Sequence, residues 1–178
     1  LVPSPQVPWT TIDLVSYFVI GMLLTPLAAA GEEYGFRGLM FRVLGGWTRN
    51  ATVGTVIGIA VPTVFFSLLH QSLDPYILTS YFVLFGSMAI VTWRTGGLET
   101  AVVLHALYNM TALVLAATVH LDLGGQLNSR AEAAGSPANL VPSAALILIT
   151  AAVWWISRTT GPARTPRVST PHAVVESR

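Results

Sequence analysis

The sequence predicts an all-α fold: a polytopic membrane helix bundle of about five transmembrane helices. Three observations carry this. Charged residues make up 10% of the 178-residue chain and hydrophobic residues 53%, whereas a water-soluble domain carries about 25% charge. The apolar residues fall into five long blocks, each near the roughly 20 residues a helix needs to cross the hydrocarbon core. All five Trp residues (Trp9, Trp47, Trp93, Trp154, Trp155) stand at or beyond block ends, where indole rings sit at the headgroup boundary.

The elements follow in order. The opening stretch is Pro-rich, so residues 1–13 read as a loop or the remnant of an upstream region. It has no basic segment before an apolar run and does not read as a signal peptide. Residues 14–31, 51–69, 76–93 and 140–156 carry no charge, and residues 100–119 are interrupted only by His105 and Asn109. Residues 14–157 are therefore expected to form one membrane domain. Five buried helices of a soluble protein are the alternative, but 178 residues provide no polar layer to surround them. Residues 121–139 read as a loop rich in Gly, Ala, Ser and Asn. Residues 158–178 are polar, with Pro162, Pro166 and Pro171, and are expected to form a disordered cytoplasmic tail.

Arg placement sets an expected orientation. Arg42, Arg49, Arg94, Arg158, Arg164, Arg167 and Arg178 fall on one side, and Asp13, Asp74, Asp122, Glu132 and a single Arg130 on the other. The positive-inside rule then places the N-terminus outside and the C-terminus in the cytoplasm of an integral protein of the cell membrane. The chain has no cysteine, which removes disulfides, thiol nucleophiles and iron–sulfur clusters. Its net charge of +1 gives no field that attracts nucleic acid.

Against this background the ionisable residues are informative, because a charge in the membrane interior costs about 2.5–3.5 kcal/mol or more. The first block runs straight into Glu32, Glu33 and Arg37, after which apolar character resumes. On a continuing helix, Glu33 and Arg37 are four apart and pair. Glu32 points about 100° away, toward something outside its own helix. A solvated helix end is the plainer reading of the three. The second block closes with Phe66 and His70 on one face, where His70 could equally be an interface residue. The fourth holds His105 and Asn109 on one stripe, which a structural interhelical hydrogen bond of roughly 0.6 kcal/mol would also explain.

Together, three helices bring polar groups that need partners, and one wet cavity satisfies them most cheaply. A carboxylate, two imidazoles and an amide suit hydrolysis by water. Glu32 takes the proton with help from His70, and His105 and Asn109 donate to a developing oxyanion. A zinc ion on Glu32, His70 and His105 stays open on residue types alone, although no H-E-x-x-H occurs. At 1.5 Å per residue, straight spans leave His70 about 10 Å from the depth of Glu32 and His105.

E-E-x-x-x-R (Glu32, Glu33, Arg37), F-x-x-x-H (Phe66, His70) and H-x-x-x-N (His105, Asn109), each on its own apolar block, resemble the CPBP family of CAAX-protease and bacteriocin-processing intramembrane endopeptidases. The stretch Arg94-Thr95-Gly96-Gly97-Leu98 is similar as well. The resemblance implies a metal-free membrane protease acting on membrane-associated or lipidated peptides or proteins. Glu32 and His70 would activate water, His105 and Asn109 would hold the oxyanion, and Glu33, Arg37 and Phe66 would support them. A proton-coupled transporter subunit and a non-catalytic immunity or interaction protein of the same fold are the competing readings.

Overall fold

The computed structural model describes residues 8–118, 120 and 130–160. Among these there is no strand, and five helical segments are long and apolar enough to cross a membrane. The expectation for the tail beyond residue 160 lies outside the described residues, as does most of the loop before residue 130.

Helix α1 (Thr11–Glu33) begins inside the segment expected to be a loop, because Thr10 and Asp13 form a reciprocal capping box. The helix does not stop where the first uncharged block ends. It passes through a π-helical segment (Tyr34–Met40) into α2 (Phe41–Gly45), making one rod of 35 residues. Glu32, Glu33 and Arg37 therefore lie in the body of a membrane-crossing helix rather than at a wet end. In the π segment the bonding changes from i−4 to i−5, as in Phe41 N–H donating to the Phe36 carbonyl.

A short turn carrying Trp47 reverses the chain. Asn50 caps α3 (Ala51–Leu69), its side chain accepting from Thr52 N–H at 3.0 Å and Val53 N–H at 3.1 Å. Helix α3 runs back along α2 at close approach. A Cβ added at Gly58 would lie 2.9 Å from the Phe41 carbonyl oxygen, and one at Gly54 would overlap that of Gly45. Small residues let the two backbones meet, the usual device for helix pairing in lipid.

Helix α3 ends at His70, and Gln71 takes the left-handed conformation (φ 59°). Asp74 then caps α4 (Pro75–Thr95), accepting from Tyr76 N–H at 2.9 Å and Ile77 N–H at 3.1 Å. The N–H of Gly135, together with these two, holds the Asp74 carboxyl below its ordinary value. Gly96, at φ 73°, closes α4 in the left-handed conformation that disfavours other residues. Helices α5 (Glu99–Thr118) and α6 (Leu140–Ser157) complete the bundle.

Helix α4 is the central rod. It packs on α3, α5 and α6, while α1 packs on α5 and α2 packs on α3. The core is small: Phe66, Leu84, Phe85, Met88, Ala101 and Leu146. Arg94 locks the ends of α4 and α6 together. Its Nε donates to Ser157 Oγ at 2.8 Å, its Nη2 donates to the Ser157 carbonyl, and its guanidinium lies 4.8 Å over the Trp154 ring. Large apolar side chains cover the outside of α1, α3, α5 and α6, as lipid contact requires.

The α2–α3 approach gives a direct test. Gly58→Leu and Gly54→Leu should each lose about 1–3 kcal/mol, the typical cost of overpacking, when unfolding is followed in detergent micelles. Gly31→Ala, where an added Cβ meets nothing within 4 Å, should cost nothing measurable in the same assay.

Candidate active site

Glu32, Glu33, Arg37 and His105 meet where the long helix and α5 approach α4, and His70 on α3 reaches the Phe85 ring that His105 also touches. Glu33 and Arg37 are both buried, at 0% and 2% exposure. Glu33 Oε1 lies 3.1 Å from Arg37 Nη1, the expected i,i+4 pair. Arg37 Nη2 donates to the Phe85 carbonyl at 2.8 Å, and the guanidinium stands 5.4 Å over both the Phe66 and Phe85 rings. A carboxylate, a carbonyl and two aromatic faces thus surround the buried cation, while Arg37 Nε and Glu33 Oε2 are buried without a hydrogen-bond partner.

Glu33 has a second task that its spacing does not reveal. The same Oε1 meets His105 Nδ1 at 2.7 Å. With the carboxylate accepting, Nδ1 carries hydrogen, and the ring of His105 is fixed with Nε2 turned the other way. Nε2 lies 3.5 Å from Glu32 Oε2. Glu32 does find its interaction outside its own helix. Its side chain remains 40% exposed, unlike that of Glu33. Two adjacent carboxylates thus have different positions: one locked in the protein, one at the open edge of the cluster.

His70 packs its ring against the Phe85 ring. Its Nδ1 lies 2.9 Å from the Phe66 carbonyl. A carbonyl only accepts, so Nδ1 is the donor, and Nε2 carries the lone pair in the neutral ring. Ring centroids of Phe85 lie 5.0 Å from His70 and 6.1 Å from His105. Phe66 stacks between Phe36 (3.8 Å) and Phe85 (4.1 Å), tying α3 to the π segment and to α4. Asn109 lies one turn beyond His105 on α5 and is half-buried.

The sequence reading passed over Phe85. It is fully buried, and it touches both imidazoles with its ring and Arg37 with its carbonyl. Nothing in the sequence marks it, since it is one aromatic residue in an apolar block. Among the described residues no three His, Asp or Glu side chains group closely enough to hold a metal ion.

The architecture and the cluster define a class: helical membrane proteins that keep carboxylates and imidazoles inside the bundle. The particular family follows from comparison. Residues 12–111 match the family model for Rce1-like proteins, type II CAAX prenyl endopeptidases. The match covers more than half of the chain, and the chain belongs to that family, whose members are CAAX-type intramembrane endopeptidases. It encloses all three motifs, from Glu32 to Asn109. No curated protein and no solved structure gives a significant match.

The buried pair should behave as a unit. Glu33→Leu, which strands Arg37, should cost about 3–5 kcal/mol of stability. Glu33→Leu combined with Arg37→Met should recover most of that loss. Unfolding of purified protein in detergent measures both.

Proposed function

We propose that this chain is an intramembrane endopeptidase that hydrolyses peptide bonds of membrane-associated or lipidated substrates with Glu32 as general base. The observation that carries this reading is the division of labour between the two glutamates. Glu33 is immobilised by Arg37 and His105, while Glu32 keeps an accessible carboxylate beside His105 Nε2.

In this reading water is held between Glu32 and His70 Nε2. As its oxygen attacks the scissile carbonyl carbon, Glu32 takes one proton and the carbonyl π electrons move onto oxygen. That oxyanion accepts hydrogen bonds from Asn109 Nδ2 and from His105 Nε2. Donation from Nε2 while Nδ1–H is held by Glu33 requires the doubly protonated ring, whose charge the carboxylates on either side oppose. Collapse of the tetrahedral intermediate breaks the C–N bond, and the proton on Glu32 passes to the leaving amine. No metal is needed in this scheme. Arg placement supports an N-terminus outside and a C-terminus in the cytoplasm of the cell membrane.

Cleavage of a fluorogenic lipidated peptide by protein in detergent or liposomes tests the reading. Glu32→Gln and His70→Ala should each abolish cleavage with unfolding transitions unchanged. Asn109→Ala should lower kcat about a hundredfold, the usual cost of one oxyanion donor. Chelators should leave the wild-type rate unchanged. Turnover at the wild-type rate by Glu32→Gln would remove the mechanism.

A further inference from the structure

Helix α5 carries a third polar side chain beside His105 and Asn109. Tyr108 stands three residues after the imidazole and one before the amide. At 3.6 residues per turn it lies about 60° from His105 around the helix, on the side away from Asn109, which lies about 40° from it. His105, at 2% exposure, marks this arc as the inward one. Tyr108 is half-buried, and its ring packs against the core cluster that contains Phe66 and Phe85.

The hydroxyl is placed for a partner from outside the protein. A buried phenol usually finds an acceptor, and leaving one unmet away from water is costly. The influences on this hydroxyl are burial and the Tyr81 phenol of α4; among the described residues no carboxylate, imidazole or carbonyl bonds it. Nor does it belong with the polar atoms sealed in the interior without a partner, such as Thr63 Oγ1 and Thr92 Oγ1, so it keeps access to the surface. Tyr81 packs on His70, with ring centroids 4.5 Å apart. Tyr108 is thus linked to both imidazoles at close range, to His105 along its own helix and to His70 through Tyr81.

We propose that Tyr108 is a substrate-binding residue whose hydroxyl donates to a backbone carbonyl of the peptide next to the one being cleaved. A phenol is a neutral donor and meets a neutral amide carbonyl without the desolvation cost of a charge. Tyr108 and Asn109 leave α5 in directions about 100° apart, so the two side chains serve different carbonyls of one extended chain. The neighbouring carbonyl does not change charge during hydrolysis. A hydrogen bond to it is equally strong in the ground state and the transition state, and therefore adds affinity without speeding the chemical step. The proposal rests on the hydrolytic reading of the site and adds to it a determinant of substrate binding.

Tyr108→Phe removes the hydroxyl and keeps the ring, so its unfolding transition in detergent should match that of wild type. With the fluorogenic lipidated peptide, KM should rise about three- to tenfold, the range one neutral hydrogen bond supplies, and kcat should stay within about twofold. In the Glu32→Gln background the same peptide should bind without turnover, and adding Tyr108→Phe should weaken its Kd, read by fluorescence anisotropy, by the same factor. Unchanged KM and Kd would overturn the proposal, as would a fall in kcat at constant KM. Absence of cleavage by the wild type counts against the proposed function alone, and the two Kd values then decide the role of Tyr108. Absence of peptide binding by Glu32→Gln overturns both.

Discussion

The structure depends on the buried contact among Glu33, Arg37 and His105. Two of these are charged and fully enclosed in a bundle whose outside is hydrocarbon-like. Neither could stay there alone, because an unpaired charge in such a place costs several kcal/mol. Glu33 therefore obliges Arg37 to lie on the same helix face. Arg37 in turn fixes the carbonyl of Phe85 on α4, and Glu33 fixes Nδ1 of His105 on α5. Three rods are held at one depth by one carboxylate and one guanidinium. In lipid, where apolar burial hardly drives association, a polar knot of this kind supplies specificity that greasy surfaces cannot.

The same knot explains why the long helix continues past its charges. A helix carrying two carboxylates and a guanidinium would be expected to end in water. Compensated from α4 and α5, it instead carries on for a further twelve residues beyond Glu33. This continuation removes about half of the depth mismatch that uncharged blocks suggest for His70. Phe41 faces Gly58 across the α2–α3 approach. From that level, Glu32 is nine residues up one helix and His70 twelve residues up the other. At 1.5 Å per residue these are about 13 and 18 Å, so the offset falls to about 5 Å, within reach of side chains.

Much of this was legible in the sequence, and the limits are physical. Five spans follow from block length, and the Glu33–Arg37 pair and the His105–Asn109 stripe follow from four-residue spacing. The outward aim of Glu32 follows from the helical angle. The start of α1 was misplaced because the block was counted from its first uncharged run, whereas the capping box of Thr10 and Asp13 starts the helix earlier. The far end of the first span is not legible, because sequence alone does not tell whether the helix carries its charges onward. The Glu33–His105 contact was illegible, since the residues lie 72 apart in sequence and no spacing rule links them. Phe85 was illegible for a different reason. A helix apolar on every side gives no sign of which side faces inward, so its structural aromatics look like its lipid-facing ones.

The two glutamates show how neighbouring residues of one type come to differ. They share a backbone, a charge and a helix, and only the helical angle separates them. That angle turns Glu33 into the bundle, where its Oε1 meets both Arg37 and His105, and leaves Glu32 at the edge with its carboxylate partly exposed. A carboxylate that accepts a proton during a reaction must gain and lose it without dismantling its surroundings. Protonating Glu33 would weaken the pairings to Arg37 and His105 together, and with them the alignment of three helices. Protonating Glu32 weakens a long contact to His105 Nε2 at the open edge of the cluster. In the proposed mechanism the exposed residue is therefore the one that changes charge within a turnover, and the buried one holds the helices together.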